Sequence, residues 1–401
     1  MNIISNLESI LKFKKNITKK ELKSLVSSKN FINAVKNIFT INTDKEIFQI
    51  KTSLNIPLQN FLVRKLKYLK TLKRGKPQSI GLIAMEPETG RIIAMAGFNL
   101  SNPDINPCTL KKYPAASIFK IITASAAIEI CGYNSKTPVY FNGNKYTLYK
   151  KQLKETKNKY TRRLSFGNAF AESINPVFGK IGSLYIGRKN LQKYSAAFGF
   201  NQNNDLDSDI LFDSGFIKIT DKSYQWAELG CGFNKTTTIS PIFGAMIIST
   251  ILNSGKMPVP CLVDKVENSQ ENLVYQRKKT IGQKTINPTT ARILMKMMKK
   301  TIATGTARKS FRGFSKDSIL SKLNLGGKTG SIYKKNNIIK YDWFTGFARE
   351  KKGKKQLAVS ILVEHEKYIG TRASEYARMI FKNYFKNYFA LKNKKEKKKQ
   401  T

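Results

Sequence analysis

Strand-like and helix-like stretches segregate along this chain instead of alternating. Two strand-like runs, Ser79–Met85 and Arg91–Ala96, flank the pentapeptide EPETG, where Pro87 and Gly90 supply hairpin-turn chemistry. Three more strand-like runs fall in the C-terminal third, at Leu325–Ile332, Asp342–Arg349 and Gln356–Glu364. Between the two groups, apolar residues recur at helical spacing near 165–184, 223–229, 240–253 and 288–302. A parallel sheet needs a crossover, usually a helix, between successive strands, and this order does not provide it. The pattern predicts an α+β fold, an antiparallel sheet with helices packed on it.

Further elements follow from the same reading. Ile56–Leu72 has helical spacing. After Pro114, AASIFKIITASAAIEICG reads as one helix with Gly132 as its C-cap. Residues 141–163 are polar, basic and aromatic, and read as an exposed hairpin or loop insertion. Residues 1–47 read as short amphipathic helices with Lys-rich faces. A last amphipathic helix is expected over Arg372–Phe389, followed by a solvated Lys-rich tail over 389–401. No run of 18 apolar residues occurs, and the N-terminus lacks a basic head followed by an apolar core. Neither a transmembrane segment nor a signal peptide is therefore expected in the chain as written.

Charge suggests a partner class and then weakens it. The 401 residues carry 72 Lys+Arg against 26 Asp+Glu, a net +46, which first suggests nucleic acid. The excess is spread along the body, however, and 59 of the basic residues are Lys against 13 Arg. Phosphate and base readers favour the planar Arg fork, so nucleic acid is not the expected partner. Coding bias accounts for most of the excess, with attraction to an anionic membrane surface or wall polymer as a secondary reading. The single histidine, His365, precludes a His-rich metal site and is read as a turn residue. Cys108, Cys131, Cys231 and Cys261 contain no CxxC pair and read as buried small hydrophobes. No metal or cofactor is expected.

Three short motifs carry the chemistry. Ser117-Ile-Phe-Lys120 opens the long helix, Ser173-Ile-Asn175 follows 56 residues later, and Lys328-Thr329-Gly330 lies in a strand-like run. Positions i and i+3 share a helix face, which sets Lys120 beside the Ser117 hydroxyl. A serine hydroxyl needs an adjacent base, and a buried lysine near other positive charge can be one. At a helix N-terminus, the Ser117 N–H would also sit in positive potential suited to an oxyanion. Each motif alone is weak: Ser9–Lys12 and Ser331–Lys334 also fit Ser-x-x-Lys, and Ser28–Asn30 and Ser53–Asn55 fit Ser-x-Asn. Order, spacing and matching local structure lift the set.

With these residues in view, the chain resembles the transpeptidase domain of penicillin-binding proteins. The likeness extends over LIAMEPETGRIIAMAGF, KYPAASIFKIITASAAIE, AESINPVFGKIG, GTARKSF, GGKTGS and DWFTGFA. It implies a central antiparallel sheet with helices on both faces plus an all-helical subdomain. It also implies a peptidoglycan D,D-transpeptidase working through a Ser117 acyl-enzyme on D-Ala-D-Ala stem peptides. Lys120 would move the proton. Ser173 would relay it to the leaving amine, and Asn175 would bond the substrate amide. Lys328 and Thr329 would bind the terminal carboxylate, Gly330 would let substrate backbone approach, and the N–H groups of Ser117 and Ser331 would form the oxyanion hole. β-Lactams would acylate the same serine.

The resemblance carries further expectations. Residues 1–47 would be a basic N-terminal segment, a candidate pedestal remnant, and 48–388 the transpeptidase domain. A glycosyltransferase module needs far more than 47 upstream residues, so a bifunctional enzyme is not expected. The implied location is the periplasmic face of the cell membrane, with cell-wall synthesis proteins as partners. The competing readings are a D,D-carboxypeptidase, a β-lactamase or β-lactam sensor on the same fold, and a non-catalytic cell-wall scaffold. Ala116 stands where the family often has Gly, Asn55 where Asp is common, and Gly230-Cys231-Gly232 where Gly-Gln-Gly is frequent.

Overall fold

A computed structural model of the chain describes residues 16–26, 28–43, 46–202, 208–278, 282–333 and 338–398. The main sheet has five strands: β3 (Ser79–Met85), β4 (Ile92–Asn99), β7 (Leu323–Tyr333), β8 (Lys340–Glu350) and β9 (Gln356–His365). They run in the spatial order β7-β8-β9-β3-β4, antiparallel throughout, so β7 is an edge strand. This is the predicted antiparallel sheet, with each strand end displaced by at most three residues. SIGLIAM and IIAMAGFN are apolar runs without polar alternation, and every residue of both strands is buried. Such strands need cover on two faces.

That cover is helical. Helix α2 (Ile56–Thr71) and the C-terminal helix α10 (Ala373–Lys397) close one face, with Leu58, Leu62, Leu66, Ile380, Phe381 and Phe385 in the contact. Asn55 caps α2, its Oδ1 accepting from the Leu58 N–H at 3.0 Å. On the other face, α8 (Pro241–Leu252) is buried along its whole length. Burying each of its large apolar side chains contributes about 1.5–3 kcal/mol. Beside it lies α9 (Pro288–Ala303), packed on β7. The all-helical part comprises α3 (Lys120–Cys131), α4 (Phe166–Ala171), α5 (Asn175–Lys180), α6 (Gly187–Ala197) and α7 (Ser223–Cys231).

Several expectations are corrected. The stretch 1–47 is not helical throughout: α1 (Lys19–Leu25) is followed by strand β1 (Ile38–Asn42), and the first fifteen residues lie outside the described ones. β1 pairs with β2 (Ile47–Thr52), which pairs with β5 (Val263–Asn268) and through it with β6 (Leu273–Gln276). Burial alternates along IFTIN, but Ile38 and Phe39 are both apolar, so the residue types carry no clean period of two. The C-terminal helix runs on to Lys397 instead of ending at Phe389, aided by Lys392 donating to Glu350 at 2.8 Å. His365 is no turn residue; it ends β9 and is buried. The 141–163 insertion is a hairpin whose legs, Pro138–Phe141 and Arg162–Ser165, pair antiparallel.

Candidate active site

The segment carrying Ser117 departs from a plain helix. Residues Ala116–Phe119 form a 3₁₀ turn that feeds α3. Ala116 sits at φ +47°, a left-handed conformation that costs a non-glycine residue about 1 kcal/mol or more. Gly232 faces it at φ +68°, and a Cβ there would lie 1.9 Å from the Ala116 carbonyl oxygen. Only glycine fits that contact. Ala116, Ile118, Phe119 and Lys120 are buried, while Ser117 between them is partly exposed. The turn therefore leaves one hydroxyl partly accessible on an apolar base.

Lys120 is fully buried, and its Nζ has three neighbours: Ser117 Oγ at 2.8 Å, Asn175 Oδ1 at 2.8 Å and the Cys231 carbonyl oxygen at 2.6 Å. The Phe178 ring centroid lies 5.6 Å from the same nitrogen. Burial pushes the Lys120 ammonium down to about 8 from its ordinary 10.5. A neutral amine has two N–H donors and one lone pair. Asn175 Oδ1 and the Cys231 carbonyl can only accept, so they take the two donors. The lone pair is left for the Ser117 hydroxyl, which reverses and donates to it. Loss of one proton from Lys120 would thus leave it able to act as a base toward Ser117 with no heavy atom displaced.

Asn175 is held from behind by the hairpin insertion. Its Nδ2 donates to the Tyr146 carbonyl and its backbone N–H to the Lys145 carbonyl, both at 2.8 Å. Those acceptors also fix its orientation, leaving Oδ1 for Lys120. Ser173 lies at φ +60° in the break between α4 and α5, and its Oγ accepts from Lys328 Nζ at 2.9 Å. Lys328 is fully buried, donates also to the Thr329 carbonyl at 2.9 Å, and stands 5.6 Å from the Phe170 ring centroid. Burial first and the Lys120 charge second hold it well below the usual lysine range.

The third motif closes the site from the edge strand. A Cβ on Gly330 would meet Ile118 Cγ1 at 3.2 Å and the Ala115 carbonyl at 3.3 Å, so β7 lies directly against the serine turn there. Thr329 Oγ1 shares a 2.5 Å hydrogen bond with Thr306 Oγ1, and the exposed Ser331 Oγ donates to Asp342 Oδ1 at 3.4 Å. All eight residues singled out from the motifs thus belong to one contiguous arrangement. Reading the sequence missed the carbonyls of Cys231, Lys145 and Tyr146 and the hydroxyl of Thr306. A backbone carbonyl has no residue-type signature, so only the unusual Gly-Cys-Gly marked one of them. Glu172, next to the second motif, is paired with Lys145 at 3.1 Å. Among the described residues, no group of three His, Cys, Asp or Glu could hold a metal ion.

The family model for the penicillin binding protein transpeptidase domain matches residues 80–386. The chain is 23% identical over 323 residues to stage V sporulation protein D of Bacillus subtilis, covering 75% of this chain and 47% of that protein. The chain thus spans about half of that relative's length. Among solved structures it resembles the D,D-transpeptidase domain of a peptidoglycan glycosyltransferase from Eggerthella lenta, with TM-score 0.65 and 20% identity, over 84% of this chain and 82% of that one. It also resembles the imipenem acyl-enzyme complex of penicillin-binding protein A from M. tuberculosis, with TM-score 0.63 and 18% identity, over 83% and 79% of the two chains. The matched region contains all three motifs, the five-stranded sheet and most of the helices that enclose the cleft, and the chain belongs to the penicillin-binding protein transpeptidase family.

Proposed function

We propose that this protein is a serine D,D-acyl transferase that cross-links peptidoglycan stem peptides. The observation that carries the proposal is the placement of Lys120 Nζ, fully buried and 2.8 Å from Ser117 Oγ, with two pure acceptors fixing its other hydrogens. Ser117 Oγ attacks the penultimate D-Ala carbonyl, and its proton passes to neutral Lys120. The carbonyl oxygen gains negative charge and accepts from the N–H groups of Ser117 and Ser331. As the C–N bond breaks, the proton returns through Lys120 and Ser173 to the departing D-Ala amine. An acceptor amine then attacks the Ser117 ester and re-forms the free hydroxyl.

Lys328 serves this sequence from below. Its positive charge, when present, draws the substrate's terminal carboxylate toward Thr329, and its hydrogen bond to Ser173 orients that hydroxyl. Burial favours the neutral, basic form of Lys120, and burial together with the Lys120 charge disfavours protonation of Lys328. β-Lactams fit as inhibitors because they present a strained amide to the same serine; M. tuberculosis penicillin-binding protein A has been solved as such an acyl-enzyme. A peptidoglycan substrate supports a place for the protein at the periplasmic face of the cell membrane.

The test is covalent labelling by a fluorescent penicillin, read by intact mass and peptide mapping. One adduct per chain on Ser117, stable for hours and absent in Ser117→Ala, is expected. Labelling elsewhere overturns the reading, and rapid turnover of the penicillin assigns the chain to β-lactam hydrolysis instead.

A further inference from the structure

Asp342 is a buried carboxylate that the proposed reaction does not use. It lies opposite Ser331 in the β7–β8 ladder, on the strand next to the site's edge strand. Its Oδ1 accepts from Ser331 Oγ at 3.4 Å. Its Oδ2 accepts from the backbone N–H of Ala373 at 3.0 Å, the first residue of α10, and lies 3.6 Å from Nε2 of the buried His365. Thus one carboxylate links the exposed end of β7 to the positive end of a 25-residue helix, with the chain's only histidine nearby.

This placement matters for β7. An edge strand has a neighbour on one side only, so its position beside the cleft is set by β8 and by side-chain ties such as this one. Ser331 is exposed and follows directly on Gly330, where β7 abuts the serine turn. A displacement there moves the Ser331 N–H relative to Ser117 Oγ. A misplacement of about 1 Å in a preorganised site can cost on the order of a hundredfold in rate.

We propose that Asp342 is a positioning residue for acyl transfer: its carboxylate ties the Ser331 hydroxyl to the N-terminus of α10 and so fixes the edge strand that supplies the oxyanion donor. This rests on the acyl-transfer reading above. It touches neither substrate nor the reacting atoms, and it acts through Ser331.

A double-mutant cycle tests it, with Asp342→Asn, Ser331→Ala and both together in the full chain. Ser331→Ala keeps the N–H and removes only the hydroxyl. Saturation kinetics with a fluorescent penicillin separate the limiting acylation rate from the half-saturating concentration. Each single change is expected to lower the limiting rate about tenfold while moving half-saturation less than threefold. The double variant is expected to lose no more than either single one, the signature of one shared link. Rate losses that multiply in the double variant, or an Asp342→Asn enzyme as fast as the parent, overturn the proposal.

Hydrogen exchange of the peptide spanning 323–333 supplies a readout independent of activity. Faster exchange in Asp342→Asn is expected, and unchanged exchange overturns the tie. If the parent forms no acyl-enzyme at all, the functional reading falls, while the exchange result still decides whether Asp342 holds the strand.

Discussion

At the residue scale, the site trades stability for reactivity at Lys120. Burial lowers its pKa to about 8 from 10.5, so the folded protein prefers the neutral amine. Between those values the unfolded chain binds more protons than the folded one, and stability rises with pH. Below about 8 the penalty is fully present, on the order of 3 kcal/mol at about 1.36 kcal/mol per pKa unit. Lys120→Met removes that pH dependence. Denaturant unfolding of parent and variant between pH 7 and 10.5 should show the difference shift toward the parent by up to about 3 kcal/mol. A constant difference across that range would mean that Lys120 is not held in a penalised state. The Ser117–Lys120 pair was readable from sequence because its geometry is local: three positions along one turn bring the groups together. Asn175 was identified as a residue, yet its orientation depends on Tyr146, a hairpin carbonyl that nothing in the local sequence marks.

At the element scale, the serine turn is held from outside by the end of α7. Gly232 ends that helix at φ +68° with its α-carbon pressed against the Ala116 carbonyl, and the preceding Cys231 carbonyl accepts from Lys120. Gly232→Ala therefore adds strain in the left-handed region and forces the two turns apart. A loss of about 2 kcal/mol or more in unfolding free energy is expected, together with at least a tenfold drop in acylation rate. Native stability with parental kinetics would show that the two turns are not coupled. The same scale explains where sequence reading fell short. The five main strands and the buried α8 were found, with ends off by a few residues; β3, β4, β9 and α8 carry strong apolar runs. β2 escaped because one of its pairing partners, Val263–Asn268, is more than two hundred residues away in sequence, and no local signal reports it; β1, whose partner is β2, was lost with it.

At the scale of the whole molecule, the net +46 is a load that the fold carries. Ion pairs such as Arg91–Asp264, Lys355–Glu86 and Lys392–Glu350 tie some cations down, but 26 acidic residues cannot neutralise 72 basic ones. Self-repulsion between exposed lysines destabilises the compact state and is screened over about 8 Å at physiological ionic strength. The melting temperature is therefore expected to rise by several degrees between about 20 and 300 mM salt. A fall over that range would show that surface ion pairs outweigh repulsion. The proposed acyl transfer needs only two of these lysines, Lys120 and Lys328, and both are buried away from the charged surface. The measurement that bears most directly on their role is the rate at which a penicillin acylates Ser117, followed from pH 6 to pH 10. The rate should climb with pH through a midpoint near 8 and level off, as neutral Lys120 accumulates, and Lys120→Met should lose at least a hundredfold at the plateau. A rate independent of pH across that range, or one that survives in Lys120→Met, would contradict the assignment of Lys120 as the base.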